Sequence, residues 1–112
     1  MREISIGMTV VGDGSTTTVY TIPTGYYAKW NLAYLFNATG STKTVTMSWY
    51  DASASTTYDV LNGYSLASKD FLKFDGGAYI VLEEGDKVTF APETGATFTI
   101  LTTFELIGSQ RA

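Results

Sequence analysis

Glu83, Glu84 and Asp86 stand within four positions of one another in the stretch YIVLEEGDKVTF. Three clustered carboxylates could gather a cation or move protons, so they come first among residues able to do chemistry. A calcium loop needs six or more oxygen ligands at defined spacings, and this stretch does not supply them. Apolar alternation continues on both sides, through Val81 before it and Val88 and Phe90 after it. Gly85 sits where a tight turn needs a positive φ. The expected structure is a hairpin whose tip faces water, with the three acids solvated, dispensable for folding and binding no metal. Asp75 in FDGGAY, ahead of two glycines, is likewise read as turn chemistry. Asn37-Ala38-Thr39 matches a glycosylation sequon, which carries no weight without a secretory leader.

The absent residue types narrow the chemistry further. The chain has no cysteine and no histidine. A Ser-His-Asp triad, a thiol nucleophile, a disulfide framework and an ordinary zinc site are therefore all excluded. The 11 acidic residues could hold a glycosidase-type pair, but no two are marked out by spacing. The expectation is a protein that is not an enzyme and carries no cofactor.

Composition describes the body that would hold such residues. At 112 residues, 45% of them hydrophobic, the chain suits one domain with one modest core. Charged residues make up only 16%, against roughly 25% in an average soluble protein. The net charge of −4 and seven scattered cations give no basic stripe for phosphates, so no nucleic acid is expected as a ligand. No apolar run reaches the length of a signal peptide or a membrane span, so neither export nor membrane insertion is expected.

The dominant pattern has period 2. Ile4, Ile6, Met8 and Val10 alternate with small polar residues. Tyr26, Ala28, Trp30, Leu32, Tyr34 and Phe36 share one face of the next long stretch. Val45, Met47 and Trp49 follow, then Val88 and Phe90, and finally Phe98, Ile100, Phe104 and Leu106. Half-buried strands have this signature, and β-branched and aromatic residues reinforce it. Turn residues punctuate the strands at GDGS, IPTG, ATGST, EEGD and PETGA. The polar stretch 51–71 reads as the least regular, a crossing between sheets. The predicted fold is all-β: about eight strands in a single antiparallel β-sandwich over 1–112, jelly-roll or immunoglobulin-like. Its predicted core contains Trp30, Leu32, Val45, Met47, Phe90, Phe98, Ile100 and Phe104.

Three motifs in order, Tyr20-Thr21-Ile22-Pro23-Thr24-Gly25, Asn37 before Ala38-Thr39-Gly40, and Leu82-Glu83-Glu84-Gly85-Asp86, carry a resemblance. Over most of residues 16–107 the chain resembles a family of small β-sandwich structural proteins of tailed bacteriophages. That resemblance implies a virion component without catalysis, made in the bacterial host cytoplasm and attached to capsid or to neck and tail. It implies other virion proteins as partners, together with homo-oligomerisation. Residues 1–11 lie outside the family-like region, so Ile4, Ile6, Met8 and Val10 are expected to form an added strand or arm against a neighbour. Should that strand belong to the sandwich core instead, the interface is expected on the 51–71 region with Tyr58 and Tyr64, because tyrosine is favoured at contacts. The alternative is a fibre- or collar-borne adhesin module for host-surface glycans. Exposed, clustered aromatic rings would favour sugar; buried tryptophans with an apolar or strand-edge patch would favour assembly.

Overall fold

The computed structural model describes residues 2–74 and 80–108. Nine strands run in order among them: β1 (Arg2–Val11), β2 (Thr17–Thr21), β3 (Tyr26–Asn37), β4 (Lys43–Asp51), β5 (Thr56–Leu66), β6 (Phe71–Phe74), β7 (Ile80–Leu82), β8 (Lys87–Pro92) and β9 (Thr97–Gly108). No helix long and apolar enough to cross a membrane is present among the described residues.

Every pairing is antiparallel, and the pairings nest. β4 pairs with β5, β3 with β6 and β7, β2 with β8, and β1 with β9. The chain thus behaves as one long ribbon doubled back on itself between β4 and β5, then wrapped into two sheets. One sheet has the order β1-β9-β3-β6, with β7 also on β3; the other has the order β2-β8-β4-β5. This is jelly-roll topology, one of the two sandwich forms expected. The strand count exceeds eight because β3 pairs with two short strands in succession. The turn expected at FDGGAY rests on residues 75–79, which lie outside the described residues.

Alternation places the core as predicted for Trp30, Val45, Met47, Phe90, Phe98, Ile100 and Phe104, all buried. Rings from the two sheets interlock there: Phe90 meets Phe98 edge-on at 5.8 Å, and Tyr20 lies 5.1 Å from Phe104. Leu32 departs from the prediction. Along β9, Phe104 faces Trp30 and its neighbour Thr103 faces Leu32, so Asn31 is an extra, unpaired residue. Such a bulge reverses the sense of alternation. Ala28 and Trp30 point inward before it, and Ala33, Leu35 and Asn37 after it. Leu32, Tyr34 and Phe36 therefore turn outward, and Tyr26 is exposed as well.

The stretch 51–71 also needs correcting. Most of it is β5, an 11-residue strand paired with β4; only residues 67–70 cross to the other sheet. As an edge strand exposed on most of its length, β5 has little reason to alternate. Two register shifts against β4, with Gly63 at a φ of 62°, break what pattern remains.

Candidate assembly surfaces

The acidic stretch is a turn, and Gly85 has a φ of 85°, but it is not the hairpin expected. β7 pairs with β3 in one sheet and β8 with β2 and β4 in the other, so the turn crosses between the sheets. Glu83 is exposed and Glu84 half-buried, but Asp86 is only 1% exposed. The expectation of three solvated acids fails at Asp86. Its Oδ1 accepts the backbone N–H of Ala52 at 2.9 Å. Its Oδ2 accepts from Trp49 Nε1 at 3.1 Å and from the N–H of Glu83 at 3.0 Å. The backbone joins in, since the N–H of Ile22 donates to the Asp86 carbonyl at 2.9 Å. Asp86 thereby fastens three turns at one end of the sandwich, those at 52–55 and 83–86 through its carboxylate and that at 22–25 through its backbone carbonyl. Burying a charge is tolerable when its lone pairs are filled in this way. Among the described residues no group of three or more His, Cys, Asp or Glu is arranged to hold a metal ion.

Asn37 does the corresponding work at the other end. Its buried amide donates to the carbonyls of Ser41 and Leu66, each at 3.0 Å, and its Oδ1 accepts from the N–H of Thr39 at 2.9 Å. Two of the three motif positions are thus polar anchors. With its side chain 0% exposed, Asn37 is closed to a glycosylating enzyme in the folded chain.

The outward faces of the two sheets differ. Across the four-stranded sheet, Thr18, Thr89, Ser48 and Asp59 stand in one register row. Ser48 Oγ donates to Asp59 at 2.7 Å, and Lys87 Nζ lies 5.4 Å from the centre of the Tyr50 ring. The row itself lines a depression that Thr16, Thr46 and Thr57 complete. The outward face of the five-stranded sheet is apolar at its centre. Leu101 stands between Gly7 and Tyr34, and Phe36 between Thr99 and Phe71. Phe71 is 53% exposed and stacks on Tyr34 at 5.4 Å; Leu101 is 43% exposed. A side chain at Gly7 would begin 2.8 Å from a methyl of Leu101, so the glycine leaves room for that leucine to lie over β1. Leu32 extends the patch.

The structure separates the residues expected to form an interface. Ile4, Ile6 and Met8 pack, partly buried, against the core, and Val10 belongs to it. β1 pairs with β9 over all ten of its residues, so it is a strand of the sandwich and not a detached arm. Its side chains on that face are committed inward. Tyr58 and Tyr64 are 49% and 43% exposed at the rim of β5, and Tyr58 rests on Trp49 with ring centres 5.5 Å apart. Both lie on the opposite sheet from Leu101 and Phe71. Sequence reasoning missed the Leu32–Tyr34–Phe36–Phe71–Leu101 patch because the bulge at Asn31 hides it. The one available signal was Leu101, apolar and out of phase with Ile100 and Phe98.

No protein-family model matches the chain, and no curated protein matches its sequence. Among solved structures, a chain from Bacillus endospore appendages, described as a novel family of disulfide-linked pili, is 16% identical with a TM-score of 0.61. The likeness covers 97% of this chain and 88% of that one. A chain of the cyanophage Pam1 capsid asymmetric unit is 18% identical over 92% of this chain and 82% of its own, with a TM-score of 0.50. At these identities the likeness is one of fold.

Proposed function

We propose that this chain is a non-catalytic structural protein of a tailed-phage particle, most simply a capsid decoration or cement subunit bound to other virion proteins. The observation that carries the reading is the apolar outward face of the five-stranded sheet, set against a hydroxyl-covered face on the other side. Water-exposed Leu101, Phe71 and their neighbours gain free energy when a partner covers them. The motif resemblance to phage structural proteins and the fold shared with a phage capsid chain support the same reading. The pilus chain is also part of an assembly, but one that is disulfide-linked, a bond that a chain without cysteine cannot make.

A glycan-binding module is the second reading, and the polar depression around Thr46 and Thr57 is the observation in its favour. The aromatic rings weigh against it. Trp30 is buried, Trp49 is held by Asp86 and Tyr58, and Lys87 lies over Tyr50. The test is to add purified protein to particles lacking it and measure occupancy. Leu101→Lys and Phe71→Lys should fold normally and fail to bind particles, whereas Thr18→Ala and Thr89→Ala should bind as the parent does. Full occupancy by the two lysine variants would overturn the proposal.

A further inference from the structure

Four strands end the two sheets: β1 and β6 in one, β2 and β5 in the other. An edge strand offers unpaired N–H and C=O groups, and proteins that stay apart blunt it with shortness, bulges, lysine or proline. β6 spans four residues and carries Lys73, and β7 beside it spans three. β2 spans five residues, has a register shift between Thr18 and Tyr20, and runs into Pro23. β5 is long, but its two register shifts and Gly63 distort it. β1 has none of these devices. It holds ten consecutive pairs with β9 without a shift, contains no proline or lysine, and among the described residues pairs with nothing on its other side. The core-facing side chains of Ile4, Ile6 and Met8 are still only partly covered.

We infer that β1 is an assembly edge, on which the β1 of a second copy of this chain pairs antiparallel about a two-fold axis through Ile6. The other edges of the chain are blunted, so the straight edge that matches β1 is β1 itself. Like pairing with like closes a two-fold dimer and does not propagate a filament. The residues fit that arrangement. Pairing about Ile6 sets Ile6 against Ile6 and Ile4 against Met8 on the core-facing side, continuing the aliphatic row across the junction. On the outward side it sets Ser5 against Gly7 and Glu3 against Thr9. Glu3 already faces Glu105 across β9, and like charges directly opposite are unfavourable. A parallel in-register partner would add Glu3 against Glu3, whereas the antiparallel one offers a hydroxyl. Pairing about Gly7 would instead set two glycines together and Glu3 against Val11. The dimer joins the two five-stranded sheets edge to edge, with both Leu101 patches on one continuous outward face.

Charge substitution at Thr9, which is exposed, tests this without touching the core. Sedimentation should show a dimer of the parent chain. Thr9→Glu places two carboxylate collisions with Glu3 in each dimer and should raise the dissociation constant at least tenfold. Thr9→Lys should lower it, with the melting temperature of the dissociated chain unchanged in both. Single spin labels on Ser5→Cys and Thr9→Cys variants fix the register, because the chain has no other thiol. Backbone separations between copies should be about 8 Å at Ser5 and about 21 Å at Thr9, from about 3.4 Å per residue along the strand and about 4.8 Å between strands. A parent chain that stays monomeric, Thr9→Glu and Thr9→Lys shifting the equilibrium in the same direction, or equal separations at the two labels would each overturn the inference.

Discussion

At the centre of the five-stranded sheet, facing out, Leu101 lies over a glycine; at the centre of the four-stranded sheet, Thr89 stands among hydroxyls. Both sheets contribute inward residues to one core, so hydrophobic burial does not distinguish them. Their outward faces and edges do. The five-stranded sheet has an apolar outward patch and a straight, unblunted edge. The four-stranded sheet has a face of threonine and serine, with a bulge at each edge. Selection for folding alone has no use for Leu101 or Phe71 in water. The asymmetry is what one expects of a domain covered on one side and wet on the other.

The largest expected effect tests the half of the comparison in which the sheets are alike. Phe90→Ala in β8 and Phe98→Ala in β9 should each cost about 3–5 kcal/mol in denaturant unfolding, because each leaves a buried cavity. The double variant should cost less than the sum, since the rings contact each other. A cheap truncation of either would show that its sheet contributes little to the core. Next comes Asp86, whose replacement by Ala strands buried donors on Trp49, Ala52 and Glu83 and should cost about 2–4 kcal/mol. Glu83→Gln should shift stability by less than about 0.5 kcal/mol, measured in the same way, because its side chain is exposed.

Smaller than the loss of Asp86 is Gly7→Ala, which pushes on a flexible leucine end and should cost about 1 kcal/mol while displacing Leu101. Chemical-shift changes confined to the outward face around Leu101 would check it. The smallest effect is one of pH. Glu93 is held below its ordinary value of 4.5, chiefly by accepting the backbone N–H of Thr44, with Lys43 3.5 Å away adding to it. A lowered folded-state pKa means a contribution that is present above pH 4.5 and lost as pH falls through the folded value. Acid titration of stability should therefore be slightly shallower in Glu93→Gln than in the parent.

Much of the fold was legible because period 2 survives wherever one strand face is buried and the other wet. All eight predicted core residues came from that pattern and seven of them are buried, while the turn at Gly85 was legible from its glycine but joins two sheets instead of closing a hairpin. Leu32 failed because a single extra residue, Asn31, inverts everything after it without altering composition. β5 was invisible as a strand because an exposed edge has no buried face to impose alternation. Asp86 was misread for a related reason. A buried carboxylate and a solvated one look alike in sequence when both sit in a glycine turn, and only Trp49 and Ala52, far along the chain, tell them apart. The apolar patch inherits the error at Leu32, since three of its members lie beyond the bulge.

Nested pairing also fixes the order in which the chain can acquire structure. The β4–β5 hairpin closes a loop of a few residues, while β1 finds β9 only across nearly the whole chain. Loop closure grows more costly with separation, and contacts remote in sequence slow folding. Of the nine strands, β1 is made before the others and waits longest for its partner, β9. The segment best suited to pair with another copy is therefore also exposed throughout synthesis, and in crowded expression two nascent chains can meet there before either has closed its own sheet.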